Sequence, residues 1–113
     1  MTARRPADSP ELRQLREQID RLDRRIVELL NERAELARDV GREKLRLGRR
    51  AIRDAGRERE VLLRVSIANE GPMPQADLLA IYRRLIAAAR ALEARERERL
   101  QRDEEGPSEP PGA

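Results

Sequence analysis

The sequence contains no cysteine, no histidine, no tryptophan and no phenylalanine, and its one aromatic residue is Tyr82. Without cysteine there is no disulfide framework, no thiol nucleophile and no thiolate metal site. Without histidine there is no imidazole base, no Ser-His-Asp triad and no two-histidine zinc site. A single aromatic side chain cannot build a stacking platform for single-stranded nucleic acid. No apolar run approaches the roughly 18 residues of a membrane span, and Met1 to Pro10 carries no hydrophobic signal segment. These absences lead us to expect a cytoplasmic protein that uses no metal, no cofactor and no membrane.

Charge is what the chain has in quantity. Of its 113 residues 42% are charged, yet 25 basic and 22 acidic side chains leave a net charge of only +3. The two signs interleave, as in Glu32, Arg33, Glu35, Arg38 and Asp39, in Arg57 to Glu60, and in Arg95 to Arg99. Interleaving at this spacing is the pattern of solvated helix faces with i,i+4 pairs. A nucleic-acid reader shows a basic stripe without interspersed acids, so nucleic acid is not an expected partner. All but one of the basic residues are arginine, and the exception is Lys44. A lone lysine in an arginine-biased chain marks a place where a compact ammonium serves better than a planar fork. Chance retention of one lysine explains the count equally well.

Three helical segments lie between two polar ends. Residues 1–8 and 102–113 are rich in polar residues with Pro or Gly, and both read as disordered tails flanking a domain at 9–101. The first helix opens on Ser9-Pro10-Glu11, a capping serine with proline at the first helical position. Its apolar positions are Leu12, Leu15, Ile19, Leu22, Ile26, Leu29, Leu36, Val40 and Leu47, at alternating steps of three and four. That is a heptad seam. With no proline up to about residue 47, the helix can run for some 55 Å. A compact domain of about 100 residues has a radius of gyration near 13 Å. Such a helix cannot be wrapped by its own short chain, and a homo-oligomer sharing long helices resolves the mismatch. Residues 48–54 form a loop, and Asp54 caps a second helix through about Glu70 with Val61, Leu62, Val65 and Ala68 inside. A break at residues 69–74 precedes a third helix to about residue 100. Its stripe of Leu79, Tyr82, Ile86 and Ala89 continues into Glu93, beside a second stripe of Leu78, Ile81, Leu85, Ala88 and Leu92.

Several charges interrupt these apolar faces. The first seam calls for an apolar residue at position 33 and finds Arg33. A buried guanidinium must be paired, since leaving it unpaired costs several kcal/mol. Lys44 follows eleven residues later, about 20° around the helix and roughly 16 Å along it, so the two share a face. Arg16 lies about 100° from Arg33 and suits the pocket of a second chain. An interhelical ion pair that sets register, such as Arg33 with Glu93, is the structural explanation. The functional one is a polar pocket formed by Arg33, Lys44 and Glu93 with Arg57 and Glu58, whose positive excess suits a small dianion. Lacking histidine, thiol and metal, such a pocket can still hold a substrate in a reactive shape and stabilise developing charge. A pericyclic rearrangement needs no more.

The stretches LRQLREQIDRLDRRIVELLNERAELARDVGREK (12–44), IRDAGRERE (52–60) and NEGPMPQADLLAIYRRLIAAARALE (69–93) resemble the all-helical chorismate mutases. Domains of this class also occur fused to prephenate dehydratase. The resemblance implies an all-α, three-helix fold with a long N-terminal helix, paired as an intertwined homodimer with two active sites. It implies conversion of chorismate to prephenate by Claisen rearrangement, on the shikimate route to Phe and Tyr. By motif position, Arg33 and Arg16 of the other protomer would hold the substrate carboxylates. Lys44 would contact a carboxylate and the ether oxygen, with Glu93 at that oxygen from the opposite side. Glu58 and the backbone near Asp54 would take the ring hydroxyl, and Arg57 would shape the pocket's electrostatics. One departure stands out: where the family often places a serine that helps bind a carboxylate, this chain has Ala89. An isochorismate pyruvate-lyase of the same fold and a non-catalytic dimeric helical module, binding another shikimate-pathway enzyme, are the competing readings.

Overall fold

A computed structural model describes residues 7–50 and 52–106. It consists of three helices: α1 (Pro10–Arg46), α2 (Ala55–Ala68) and α3 (Gln75–Glu105). The all-helical architecture expected from the heptads is present. The helix starts follow the capping chemistry in the sequence. Ser9 Oγ accepts the Leu12 amide at 3.1 Å, with Pro10 opening α1 where no intrahelical partner is needed. Asp54 accepts the Arg57 amide at 2.9 Å and so caps α2. Gly48 ends α1 in the left-handed region at φ 70°, and the Arg49 amide closes back on the Lys44 carbonyl at 2.9 Å. Asn69 ties the turn between α2 and α3, donating to the Met73 carbonyl at 3.0 Å and to Gln75 Oε1 at 2.7 Å.

Two boundaries differ from expectation. α2 stops at Ala68 rather than near Glu70, because Asn69 leaves the helical region to serve that turn. α3 runs to Glu105 rather than to about residue 100, so residues 102–105 are helical and not part of a tail. The charge-rich segment is made of good helix formers and is laced by Arg99, which pairs with Glu96 and with Asp103 at 3.1 Å. Of the expected disordered ends, residues 1–6 and 107–113 lie outside the described residues.

The chain divides into one unit up to Arg33 and a second from Ala34 onward, with α1 running through both. In the first unit the seam is open to solvent: Ile19 is 55% and Leu22 60% exposed. In the second, α2 packs on α3 and the last turns of α1 meet α3 near Glu93. Ala37 and Ile86 are the buried apolar side chains among the described residues. Lys44, Glu93 and Glu96 are buried as well. The second unit is therefore organised around charged groups as much as around hydrocarbon.

Candidate active site

Lys44 and Glu93 form the centre. They are 9% and 7% exposed, and Lys44 Nζ donates to both carboxylate oxygens of Glu93 at 3.3 and 3.4 Å. The same ammonium donates to the Ile52 carbonyl at 2.6 Å, so one cation joins α1, the following loop and α3. Desolvating two charges costs several kcal/mol each before their attraction and hydrogen bonds offset it. A pair retained under that cost sits where either electrostatics or register demands it. Gly41, one turn before Lys44, makes the approach feasible. A Cβ there would lie 2.9 Å from both Cα and O of Glu93, inside any ordinary contact. The helices touch backbone to side-chain-free backbone, and Lys44 reaches Glu93 across that junction.

The α2 start borders this centre. Asp54 accepts from the Arg57 amide, and that bond, followed by the charges of Arg49 and Lys44, holds its carboxyl below the usual range. Glu58, in the first turn of α2, is clasped by Arg90 from α3 at 3.2 Å and by Arg53 at 3.4 Å. The Arg57 side chain points elsewhere: it is 56% exposed and pairs with Glu60 at 3.5 Å. Its backbone amide, not its guanidinium, engages Asp54. Ala89 is half-buried on α3. Lys44 is a cation on Glu93. Arg33, half-buried, and Arg16, whose exposed side chain pairs with Asp8, belong to the unit ending at Arg33.

A second buried carboxylate lies one turn further along α3. Glu96 is 4% exposed, and Oε1 accepts from Arg99 Nη2 at 2.6 Å and from Arg42 Nε at 2.8 Å, with Arg38 Nε 3.5 Å from Oε2. These hydrogen bonds, Arg99's first and Arg42's next, push its pKa down to about 2. Arg38 is thus part of an interhelical cluster, not the free surface charge its place in a mixed-charge run suggests. Glu96 forms one wall of an open groove of about 390 Å³ with Arg38, Leu92, Arg95 and Arg99 among its lining residues. Charge alternation in Arg95 to Arg99 concealed this buried acid. The readable signal was the pair of steps Glu93–Glu96 and Arg38–Arg42 on facing helices.

The sequence pattern of the chorismate mutase type II family matches residues 15–94. The chain belongs to that family. The bifunctional chorismate mutase/prephenate dehydratase of Aquifex aeolicus is 41% identical over 87 residues, 74% of this chain and 24% of the relative. The enzyme of the same name from Escherichia coli K12 is 51% identical over 51 residues, 45% of this chain and 13% of the relative. The chain spans about a quarter or less of the length of these two relatives. Among solved structures, chorismate mutase form II from Thermus thermophilus superposes with a TM-score of 0.72 at 33% identity, covering 75% of this chain and 96% of that one. Form I of the same protein gives 0.66 at 32% identity, covering 70% and 98%. The chorismate mutase type II match includes every candidate residue from Arg16 to Glu93 and ends two residues before Glu96.

Proposed function

We propose that the chain is a chorismate mutase acting in Phe and Tyr biosynthesis, and that Lys44 and Glu93 work on the breaking bond. The buried Lys44–Glu93 pair in a chain of this family is the observation that carries the reading. In the rearrangement the ether C–O bond breaks as a C–C bond forms within one cyclic shift of electrons. No proton, metal or cofactor takes part, so catalysis reduces to holding the reactive conformer and stabilising charge on the departing ether oxygen. Lys44 supplies that charge in a site with little water. An oxygen held between both groups at about 2.8 Å needs them some 5–6 Å apart, so the substrate enters by parting the pair. Lys44 then turns to the substrate, and Glu93 faces the ether oxygen from the opposite side.

The remaining roles follow the family positions. Arg33 and Arg16 of a second protomer bind the carboxylates, while Glu58 and the backbone near Asp54 receive the ring hydroxyl. Arg57 contributes through its amide and its charge, and Ala89 leaves one donor fewer on α3. The exposed seam of α1 supports an intertwined homodimer, because no single chain covers Leu15, Ile19, Leu22 and Ile26. Relatives in which this domain is joined to prephenate dehydratase support a pathway enzyme as a further partner. We place the protein in the cytoplasm with its pathway; no helix among the described residues is long and apolar enough to cross a membrane.

The test is chorismate disappearance followed by ultraviolet absorbance, with Lys44→Ala alongside. Losing one key electrostatic donor costs about 3–4 kcal/mol, so the variant's kcat falls by roughly 10²–10³. A wild-type protein without turnover refutes the mutase reading. Salicylate and pyruvate from isochorismate then identify a lyase, and inactivity on both substrates leaves a binding module.

A further inference from the structure

Glu58 stands between two guanidiniums of unequal freedom. Arg53 Nε is 3.4 Å from Oε2 on a side chain 66% exposed, whereas Arg90 Nε is 3.2 Å from Oε1 on a side chain 36% exposed. The Arg90 contact is a close charge pair without hydrogen-bond alignment. Both Arg90 Nε and Glu58 Oε1 are buried, and neither has a hydrogen-bond partner. A guanidinium carries five N–H donors in a fixed fork. The nearest approach of Arg90 to a carboxylate is through Nε, and no hydrogen bond to Glu58 accompanies it.

Two other cations at this end of the unit are already committed. Lys44 is held by Glu93 and the Ile52 carbonyl, and Arg57 by Glu60. Arg90 follows Ala89, which offers only a methyl group, and precedes Glu93 by three residues, about 60° around α3. On this arc of the helix Arg90 and Arg97 both hold unspent donors, and Arg90 is the one beside Glu58, while Arg97 is tied through Nη1 to the Arg50 carbonyl. Charge points the same way. Glu93 balances Lys44, while Arg53 and Arg90 together outweigh Glu58, leaving one net positive charge beside the pair.

We propose that Arg90 is a substrate-binding residue whose terminal N–H groups take one carboxylate of the dianionic substrate, with Glu58 bracing its Nε. The inference rests on the mutase reading above and extends it to a residue outside that set. Planar, two-pronged recognition of carboxylate is what arginine does and lysine does not. The brace matters because a long arginine otherwise folds away along the helix, and ordering it on binding would cost side-chain entropy.

Steady-state kinetics on chorismate with wild type, Arg90→Gln and Arg90→Lys test it, with melting temperature measured for each. Losing a charge-assisted pair predicts a KM raised about 10- to 100-fold in Arg90→Gln, with kcat within about threefold. Arg90→Lys keeps the charge beside Glu58 but loses the fork, so its KM stays raised by several-fold. The competitive inhibition constant of prephenate, itself a dicarboxylate, rises in step with KM. An unchanged KM in Arg90→Gln overturns the proposal, as does full recovery by Arg90→Lys, which would reduce Arg90 to a counter-charge for Glu58. A fall in kcat and melting temperature with KM unmoved assigns Arg90 a structural role and also overturns it. If wild type does not turn over chorismate, the mutase reading fails first and this proposal with it.

Discussion

Gly41→Ala is the most demanding perturbation that these helices offer, because it adds one methyl group at the junction that sets the Lys44–Glu93 pair. The new Cβ would sit 2.9 Å from Glu93 Cα and O and 3.3 Å from its carbonyl carbon. Carbon atoms rest at about 3.5–4.0 Å, so α1 and α3 must part locally by roughly 0.6–1 Å. The obstacle is backbone, and no rotamer change relieves it. Overpacking of this kind costs about 1–3 kcal/mol, while alanine's helix preference over glycine returns about 0.8–1 kcal/mol. The net destabilisation is therefore at most about 2 kcal/mol, a fall in melting temperature of up to roughly 10 °C for a domain this size. Activity is far more sensitive. Lys44 and Glu93 sit on either side of the displaced contact, and a misplacement of about 1 Å costs on the order of 10²-fold in rate. The expected protein is folded and helical, with kcat down by about two orders of magnitude. Circular dichroism and the chorismate assay measure the two halves separately. Gly56→Ala is the control: its Cβ would meet Asp54 Oδ1 at 3.5 Å, an ordinary contact, and the variant should be slightly more stable and fully active. Gly41→Ala turnover within threefold of wild type would refute the view that this close approach sets the catalytic geometry.

Three other outcomes are expected. If Glu93 acts at the ether oxygen, Glu93→Ala lowers kcat by about 10²-fold, while Glu93→Gln keeps a polar group there and loses less; an alanine variant with wild-type kcat sinks this mechanism. Glu96 has a folded pKa near 2 against an ordinary 4.5, so its stabilising effect is complete above about pH 4.5 and is lost as pH falls toward 2. Thermal melts should show this acid-side loss in wild type but not in Glu96→Gln, which starts less stable at neutral pH. Ile26→Asp places a charge in the middle of the exposed α1 seam; if that seam joins two chains as proposed, light scattering should report dimers for wild type and monomers for the variant, with turnover lost as well.

Much of this arrangement was legible because it is local. Ser9, Asp54 and Gly48 announce helix ends through chemistry acting within three or four residues, and the α1 heptads need no partner to be recognised. Lys44 and Glu93 were visible as charges on apolar faces, and the fold buries both. What escaped was decided by the helix crossing. Whether Glu96 is solvated or buried depends on Arg38 and Arg42 arriving opposite it, which a charge-alternating run does not disclose. Gly41 reads as a mild helix weakness until Glu93 is known to lie against it. Arg57 has the right residue type at the right position, yet its side chain turns to Glu60, a choice made by i,i+3 proximity along α2.

The buried ammonium gives the protein a built-in reporter. Lys44 carries the chain's one ε-amine, and it is held by three acceptor oxygens at 9% exposure. An acylating reagent reacts only with a free, deprotonated amine, so labelling of this side chain waits for the α1–α3 junction to open. Its rate therefore counts opening events at one defined position, with no other lysine to blur the mass shift. Ligands that seal the junction should slow the label, substitutions that pry it apart should hasten it, and ordinary mass spectrometry would rank them all without isotope exchange.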